Sequence, residues 1–197
     1  MPNIAARRPP QRLHFILRWD FGVTTLKNKY KLFTDCSNNT IIDKAKAVGF
    51  ACWIAMHSKT YFTFRLIDLR AWLIPAADHK QIMVFFDYFG NPKGYIIWAN
   101  LAPDSELRLL NDPNFILHES EWDEGNSTWI LDCCFPFGEA VHAIPEIRIF
   151  FKTQGIEKVR WARRNTDYSI KKVVELAVCK RVRTEQENST QRKLQTI

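Results

Sequence analysis

The sequence predicts a mixed α/β (α+β) fold, a mixed sheet flanked by helices, and three stretches carry that prediction. After Asn39 or Thr40, either of which can cap a helix, Ile41, Ala45, Val48, Cys52 and Ala55 recur at helical spacing to about Met56. Residues 81–88 and 94–101 are strand-like runs around Phe89-Gly90-Asn91-Pro92-Lys93, the composition of a β-hairpin. Residues 128–163 read as strand, helix and strand in succession, a unit that implies some parallel pairing.

The remaining elements follow in chain order. Residues 1–10, ending in Arg7-Arg8-Pro9-Pro10, are expected to be disordered. Residues 12–36 alternate aromatic and polar groups and fit one or two strands. Lys44 and Lys46 fall on the wetter side of the first helix, which Gly49 weakens. Residues 61–74 are apolar-rich, fit either element type, and are expected to end before Pro75. A short helix over 104–111 has Asp104 or Ser105 as its cap. Thr128 to Cys134 is a buried-type strand stopped by Phe135-Pro136, residues 139–151 are helical, and 156–163 form another strand. The expected division is an N-terminal extension over 1–40, partly disordered, a folded domain over 41–180, and a polar tail over 181–197.

Composition bounds the function. A chain of 197 residues with 46% apolar content can bury a substantial core. No run of about 18 apolar residues exists, so no membrane-spanning helix is expected. Arg12, His14 and Arg18 interrupt any apolar segment after Arg7 and Arg8, so no secretory leader is expected either. The five cysteines (Cys36, Cys52, Cys133, Cys134 and Cys179) are odd in number and match no zinc spacing, which favours a reducing, cytoplasmic setting. The net charge of +7 is uneven: residues 1–50 carry +6, residues 51–150 carry −6 and residues 151–197 carry +7. Basic ends around an acidic middle fit ordinary solubility, or a face for an anionic partner.

Two residues stand out chemically. His57 lies where the first helical pattern ends, a place where the helix dipole favours a histidine even without any chemistry. Asp132 lies inside the buried-type strand Trp129-Ile130-Leu131-Asp132. A carboxylate there is costly unless paired, so it either serves chemistry or is a structural group that caps the loop at Phe135 or binds a buried arginine. His14, His79, His118 and His142 lack comparable surroundings and read as surface or packing residues.

The stretches Asp87–Asn100 (DYFGNPKGYIIWAN) and Glu121–Gly138 (EWDEGNSTWILDCCFPFG), with Trp53 and His57 upstream, resemble the RTX toxin-activating lysine acyltransferases, the hemolysin-activating family. The resemblance covers roughly residues 48–165 and is most specific between Gly90 and Gly138. It implies a fold related to the GCN5-type N-acetyltransferases, a tendency to form homodimers, and transfer of a fatty acyl chain from acyl-acyl carrier protein to lysines of an RTX-type protoxin. It implies no bound cofactor and no metal. His57 then takes the place of the proposed base, and Asp132 that of the catalytic aspartate. Trp98-Ala99-Asn100-Leu101, Trp122, Gly125 and Trp129 match as core or channel-lining positions.

Lysine acylation makes those roles sensible. A lysine of pKa about 10.4 is almost entirely protonated at neutral pH, and only the neutral amine attacks a thioester. Histidine titrates near neutrality and can take the proton, and a nearby carboxylate can orient the ring or position the amine. An acidic carrier protein calls for basic residues at its docking face. Arg160, Arg163 and Arg164 are the candidates, with Arg160 and Arg164 on one face of a strand and Arg163 on the other; the same pattern also protects a sheet edge. The chain departs from the family in three places. Ile54 occupies the position three before the histidine where the family commonly has serine, which excludes an acyl-serine there and favours direct transfer. The spacing from His57 to Pro75 is a few residues longer, and the first 40 residues are an extension.

Two other functions are compatible with the composition. A coenzyme A-dependent N-acetyltransferase is one, although no glycine-rich loop is present to cradle a pyrophosphate. A nucleic-acid-binding module is the other, although it needs basic and aromatic groups on one face and the acidic middle opposes that.

Overall fold

The computed structural model describes residues 30–33, 40–62, 64–112, 115–165 and 169–178. The disorder expected for 1–10, most of the 12–36 segment and the polar tail 181–197 lie outside the described residues.

A six-stranded sheet forms the centre, in the order β1 (Lys31–Phe33), β2 (Ile82–Phe86), β3 (Pro92–Leu101), β4 (Ser127–Cys134), β5 (Lys158–Arg164) and β6 (Ile170–Ala177). Neighbours are antiparallel except β4 and β5, which are parallel and share the pair Trp129–Arg160. That mixed order is consistent with the GCN5-type arrangement. The parallel pair follows from the connection: α4 (Ile144–Thr153) carries the chain back across one face, as a parallel crossover requires. β1 lies inside the stretch read as an extension and joins the sheet at its edge. β6 forms the opposite edge. Among the described residues no helix is long and apolar enough to cross a membrane.

Each face of the sheet has its own core. One side packs α1 (Ile41–Ala55) and α2 (Leu66–Asp78), with Ile54, Leu73, Tyr95, Ile97 and Trp129 buried among them. The other side packs α4 through Ile147 and Phe151 against Met83, Phe85, Ile96, Trp98, Ile130 and Trp161. α3 (Pro103–Asn111) follows β3 and buries Leu109 on the first side.

The first helix starts where its capping signal places it: the Thr40 side chain accepts from the Asp43 amide. Its buried face differs from the expected one. Ala47, Ala51, Ile54 and Ala55 are buried, while Ile41 is 79% exposed. Small alanines let the helix lie close on the sheet, and close approach selects the face more strongly than side-chain hydrophobicity does. α2 also differs, because it runs through Pro75 to Asp78 instead of ending before it. The ring removes one helical hydrogen bond, but Trp72, Leu73, Ala76 and Ala77 are buried around it and offset a penalty of about 3 kcal/mol. α3 is capped by the backbone of Ala102 with Pro103 in its first turn, one position or more before the expected Asp104 or Ser105.

The loop after the 3-10 turn Glu119–Trp122 returns to the end of β3, where the Gly125 amide donates to the Asn100 carbonyl at 3.0 Å. A Cβ on Gly125 would stand 1.9 Å from the Leu101 oxygen and 2.4 Å from the Ala102 nitrogen, both backbone atoms that cannot step aside. Gly125→Ala is therefore expected to lower stability by about 1–3 kcal/mol. Urea denaturation checks this; an unchanged midpoint would mean that the loop is free to lift from β3.

Candidate active site

Strict alternation along β4 would send Ile130 and Asp132 to the same side of the sheet. They face opposite sides. Ile97 pairs with Asp132 and Trp98 with Ile130, so Leu131 is an extra residue in β4, a β-bulge. Ile130 stays in the core beneath α4, while Leu131 packs in the core beneath α1 and Asp132 turns to that same side, the side from which His57 emerges.

Asp132 is 3% exposed and fully engaged. Tyr61 donates its hydroxyl to Oδ1 at 2.6 Å, Tyr95 donates to Oδ2 at 2.8 Å, and the Cys133 amide donates to Oδ1 at 2.7 Å. Burial raises the carboxyl pKa to about 6 against the lowering pull of these three donors. Burial and the neighbouring carboxylate in turn raise both tyrosine hydroxyls well above their ordinary value, so they remain protonated donors. Among the described residues no arginine takes part; the side-chain pairing is with two phenols.

His57 closes α1, its amide donating to the Ile54 carbonyl at 3.0 Å. Its Nδ1 lies 2.8 Å from the Trp53 carbonyl oxygen. A carbonyl only accepts, so Nδ1 carries a hydrogen, and in a neutral ring the lone pair is then on Nε2. The ring is exposed and sits between two others, with centroids 4.2 Å from Trp53 and 5.4 Å from Phe137. Phe137 reaches it because Gly138 (φ 81°) and Glu139 (φ 69°) turn the chain sharply after β4. Lys93 lies over the Phe137 ring at 5.5 Å. Trp53 is 43% exposed, Met56 70% and Phe137 49%, so the imidazole stands within an apolar rim.

The structure thus brings His57 and Asp132 to the same side of the sheet but not into contact. Among the described residues the hydrogen-bond partners of Asp132 are Tyr61, Tyr95 and its neighbouring amide, and that of His57 is the Trp53 carbonyl. The link between them is the short segment 57–61. The 3-10 turn Lys59–Tyr61 ends on the tyrosine that holds Asp132.

The other expected residues fall as follows. Arg160 and Arg164 both reach α3: Arg160 donates to Glu106 (3.1 Å) and Ser127 (2.9 Å) and also pairs with Glu175 of β6 (3.2 Å), and Arg164 donates to the Leu109 carbonyl (2.7 Å). Alternation along β5 puts half-buried Arg163 on the other side. Trp98, Trp122 and Trp129 are core. His118 caps the 3-10 turn that follows it and His79 stacks on Trp122, which are packing roles. A cleft of 1070 Å³ opens at the start of β4, lined by Asn100, Asp123, Ser127, Thr128 and Arg160, roughly 13 Å along the strand from Asp132. Its polar side chains largely satisfy one another, Asn100 bonding both Asp123 (2.7 Å) and Thr128 (2.8 Å). No group of three metal-ligating side chains is present among the described residues.

Tyr61 and Tyr95 escaped the sequence reading. Tyr95 carries a signal, since it lies two residues before Ile97 and so shares its face. Tyr61 carries none, being 71 residues from its partner.

Residues 40–177 match the model of the RTX toxin acyltransferase family. The chain belongs to that family. Among its relatives, the leukotoxin-activating lysine-acyltransferase of Mannheimia haemolytica serotype A1 is 32% identical over 93 residues, 47% of this chain and 54% of that protein. The RTX-II toxin-activating lysine-acyltransferase of Actinobacillus pleuropneumoniae is 31% identical over 93 residues, 47% of this chain and 57% of that protein. A protein-lysine myristoyltransferase of Kingella kingae is 26% identical over 110 residues, 56% of this chain and 65% of that protein. The chain spans about half the length of the curated relatives it matches. His57 and Asp132 of this RTX toxin acyltransferase family member both fall within the matched span.

The raised pKa of Asp132 has a thermodynamic consequence. Its carboxyl binds a proton more tightly in the folded chain (about 6) than in the unfolded one (3.8), so the contribution is present below about pH 4 and lost as pH rises through 6. Relative to Asp132→Asn, wild-type stability should fall by about 2 kcal/mol between pH 4 and pH 7. Denaturant titrations of both proteins across that range measure the difference, and a flat difference would mean that the carboxylate is not buried.

Proposed function

We propose that this chain is a protein-lysine fatty acyltransferase that moves an acyl chain from acyl-acyl carrier protein to an internal lysine of an RTX-type protoxin and so activates it. The observation that carries this reading is the placement of His57: an exposed ring held through Nδ1 by the Trp53 carbonyl, which makes Nε2 the nitrogen available to take a proton. The names of the relatives support lysine as the acceptor and a fatty chain as the cargo.

In the reaction, Nε2 of His57 accepts a proton from the attacking lysine nitrogen as its bond to the thioester carbonyl carbon forms. The tetrahedral intermediate then collapses, the carbon–sulfur bond breaks, and the imidazolium returns the proton to the departing thiolate of the carrier. Ile54, at the serine position of the family, is buried and apolar and cannot hold an acyl group, which supports one-step transfer. The apolar rim of Trp53, Met56 and Phe137 is suited to the beginning of the acyl chain.

The acidic carrier is expected to dock on Arg160, Arg163 and Arg164, extended by the exposed Lys171 and Lys172 of β6. Arg160 already holds Glu106 and Glu175, so a carrier carboxylate has to compete for it. The working form inferred from the family resemblance is a cytoplasmic homodimer, with no metal and no cofactor beyond the acyl donor.

Co-expression with a candidate protoxin, followed by intact-mass analysis, tests the reading. A fatty-acyl mass gain is expected with the wild-type chain and a loss of about 10²–10⁴-fold in rate with His57→Ala. Near-full transfer by a folded His57→Ala protein would remove His57 as the base. Transfer of acetyl from acetyl-coenzyme A, with none from acyl carrier protein, would favour the coenzyme A-dependent alternative.

A further inference from the structure

We propose that Tyr61 is the positioning residue that couples buried Asp132 to the His57 turn, so that Asp132 acts on the reaction through Tyr61 and not by touching the base. The inference rests on His57 and Asp132 being the working pair of the proposed transferase.

Three observations carry it. First, the residues from His57 to Tyr61 are tied to α1 and to one another: His57 donates its amide to Ile54, Ser58 to Ala55 at 2.9 Å and Tyr61 to Ser58 at 3.0 Å. Movement of Tyr61 is therefore transmitted to His57 by backbone bonds. Second, the turn is anchored to β4 by the Tyr61 hydroxyl on Asp132, and a hydrogen bond to a carboxylate is a strong one. Third, Asp132 has no bond to His57 through which to act directly, and the Trp53 carbonyl already orients the ring.

Tyr95 supplies the internal control. It donates to the other oxygen of the same carboxylate, at 2.8 Å, and is also buried, but it belongs to β3, which does not carry the base. The two tyrosines thus differ in what they tether. The groups facing Asp132 are Tyr61 from the turn, Tyr95 from β3, and Cys133 and Cys134 from β4. No cation joins them among the described residues, so the ionised carboxylate depends on the two hydroxyls and the Cys133 amide. A protonated carboxyl must place its own hydrogen on one of those oxygens, which disturbs the bond that anchors the turn.

The experiment uses the full chain with carboxylate-labelled aspartate and amide-labelled backbone, followed by NMR across pH 4–8. In wild type, the amides of Lys59 and Thr60 should show a step at the midpoint of the Asp132 carboxyl carbon. Both Tyr61→Phe and Tyr95→Phe remove a donor to the carboxylate and should raise that midpoint. The step at Lys59 and Thr60 should persist in Tyr95→Phe, following the new midpoint, and vanish in Tyr61→Phe. Transfer assays on the same proteins, each run above its own Asp132 midpoint, should show kcat reduced about 10- to 100-fold in Tyr61→Phe, with KM for the donor little changed, and a much smaller loss in Tyr95→Phe.

Equal behaviour of the two tyrosine variants, or no step at Lys59 and Thr60 in wild type, would overturn the proposal. If Tyr61→Phe does not fold, Asp132→Asn decides: the step must disappear, and its persistence would overturn the coupling. Absence of acyl transfer by the wild-type chain, with the amide coupling intact, would sink the transferase reading and leave the mechanical link standing.

Discussion

The extra residue at Leu131 governs the geometry around it. A strand offers its side chains to alternate faces, and a carboxylate at position 132 would ordinarily share the side of Ile130 beneath α4. The bulge moves Asp132 to the side of α1 without disturbing the pairing of β4 on β3 at either end. Once there, the group has no bulk water to solvate it, and the two phenols become its solvent. Tyr95 arrives from the neighbouring strand by register alone. Tyr61 arrives from the turn that ends α1, and its arrival settles where that turn lies. A local irregularity in one strand therefore decides the placement of a histidine on another element.

The division of labour at the site differs from the arrangement in which one carboxylate both orients a histidine and faces the charge that forms on it. Here a main-chain carbonyl from the preceding turn of the helix holds Nδ1. That contact is built from local geometry, since residues four apart stack on one helix face. It needs no second element to be in register. Asp132 is released from orienting the ring and is buried where water cannot compete for its hydrogen bonds. The exposed rim of Trp53, Met56 and Phe137 surrounds the imidazole with apolar surface while leaving the ring open to solvent.

Charge is rearranged by folding in a comparable way. Along the chain, an acidic middle separates two basic ends. In the folded protein Arg160, from the basic C-terminal part, meets Glu106 from the acidic middle, and Lys44, from the basic N-terminal part, meets Asp78 at 2.6 Å. Segregation in sequence becomes pairing in space. These contacts are partly exposed, so each contributes modestly to stability, about 0–1 kcal/mol. Their larger effect is to engage an arginine and a lysine that composition alone offers to an anionic partner.

The sequence by itself determined the existence and order of most elements from residue 40 onward: the Thr40-capped helix, the hairpin closed near Gly90, and the strand–helix–strand unit with its parallel pair. Each is written in local signals, a cap, a turn or a period, that act over a few residues. It also marked His57, by its place at the end of a helix, and Asp132, by the cost of a carboxylate in an apolar strand. Tertiary structure alone decided what those two residues do for each other. The face that Asp132 takes depends on a bulge in its pairing with β3, the helix running through Pro75 depends on burial that outweighs a lost hydrogen bond, and Tyr61 meets Asp132 across 71 residues of chain. Periodicity reports the neighbours a residue has along its own element. Partners delivered by another element leave no periodic trace, and that is why the two tyrosines at the centre of the site became visible only once the sheet was assembled.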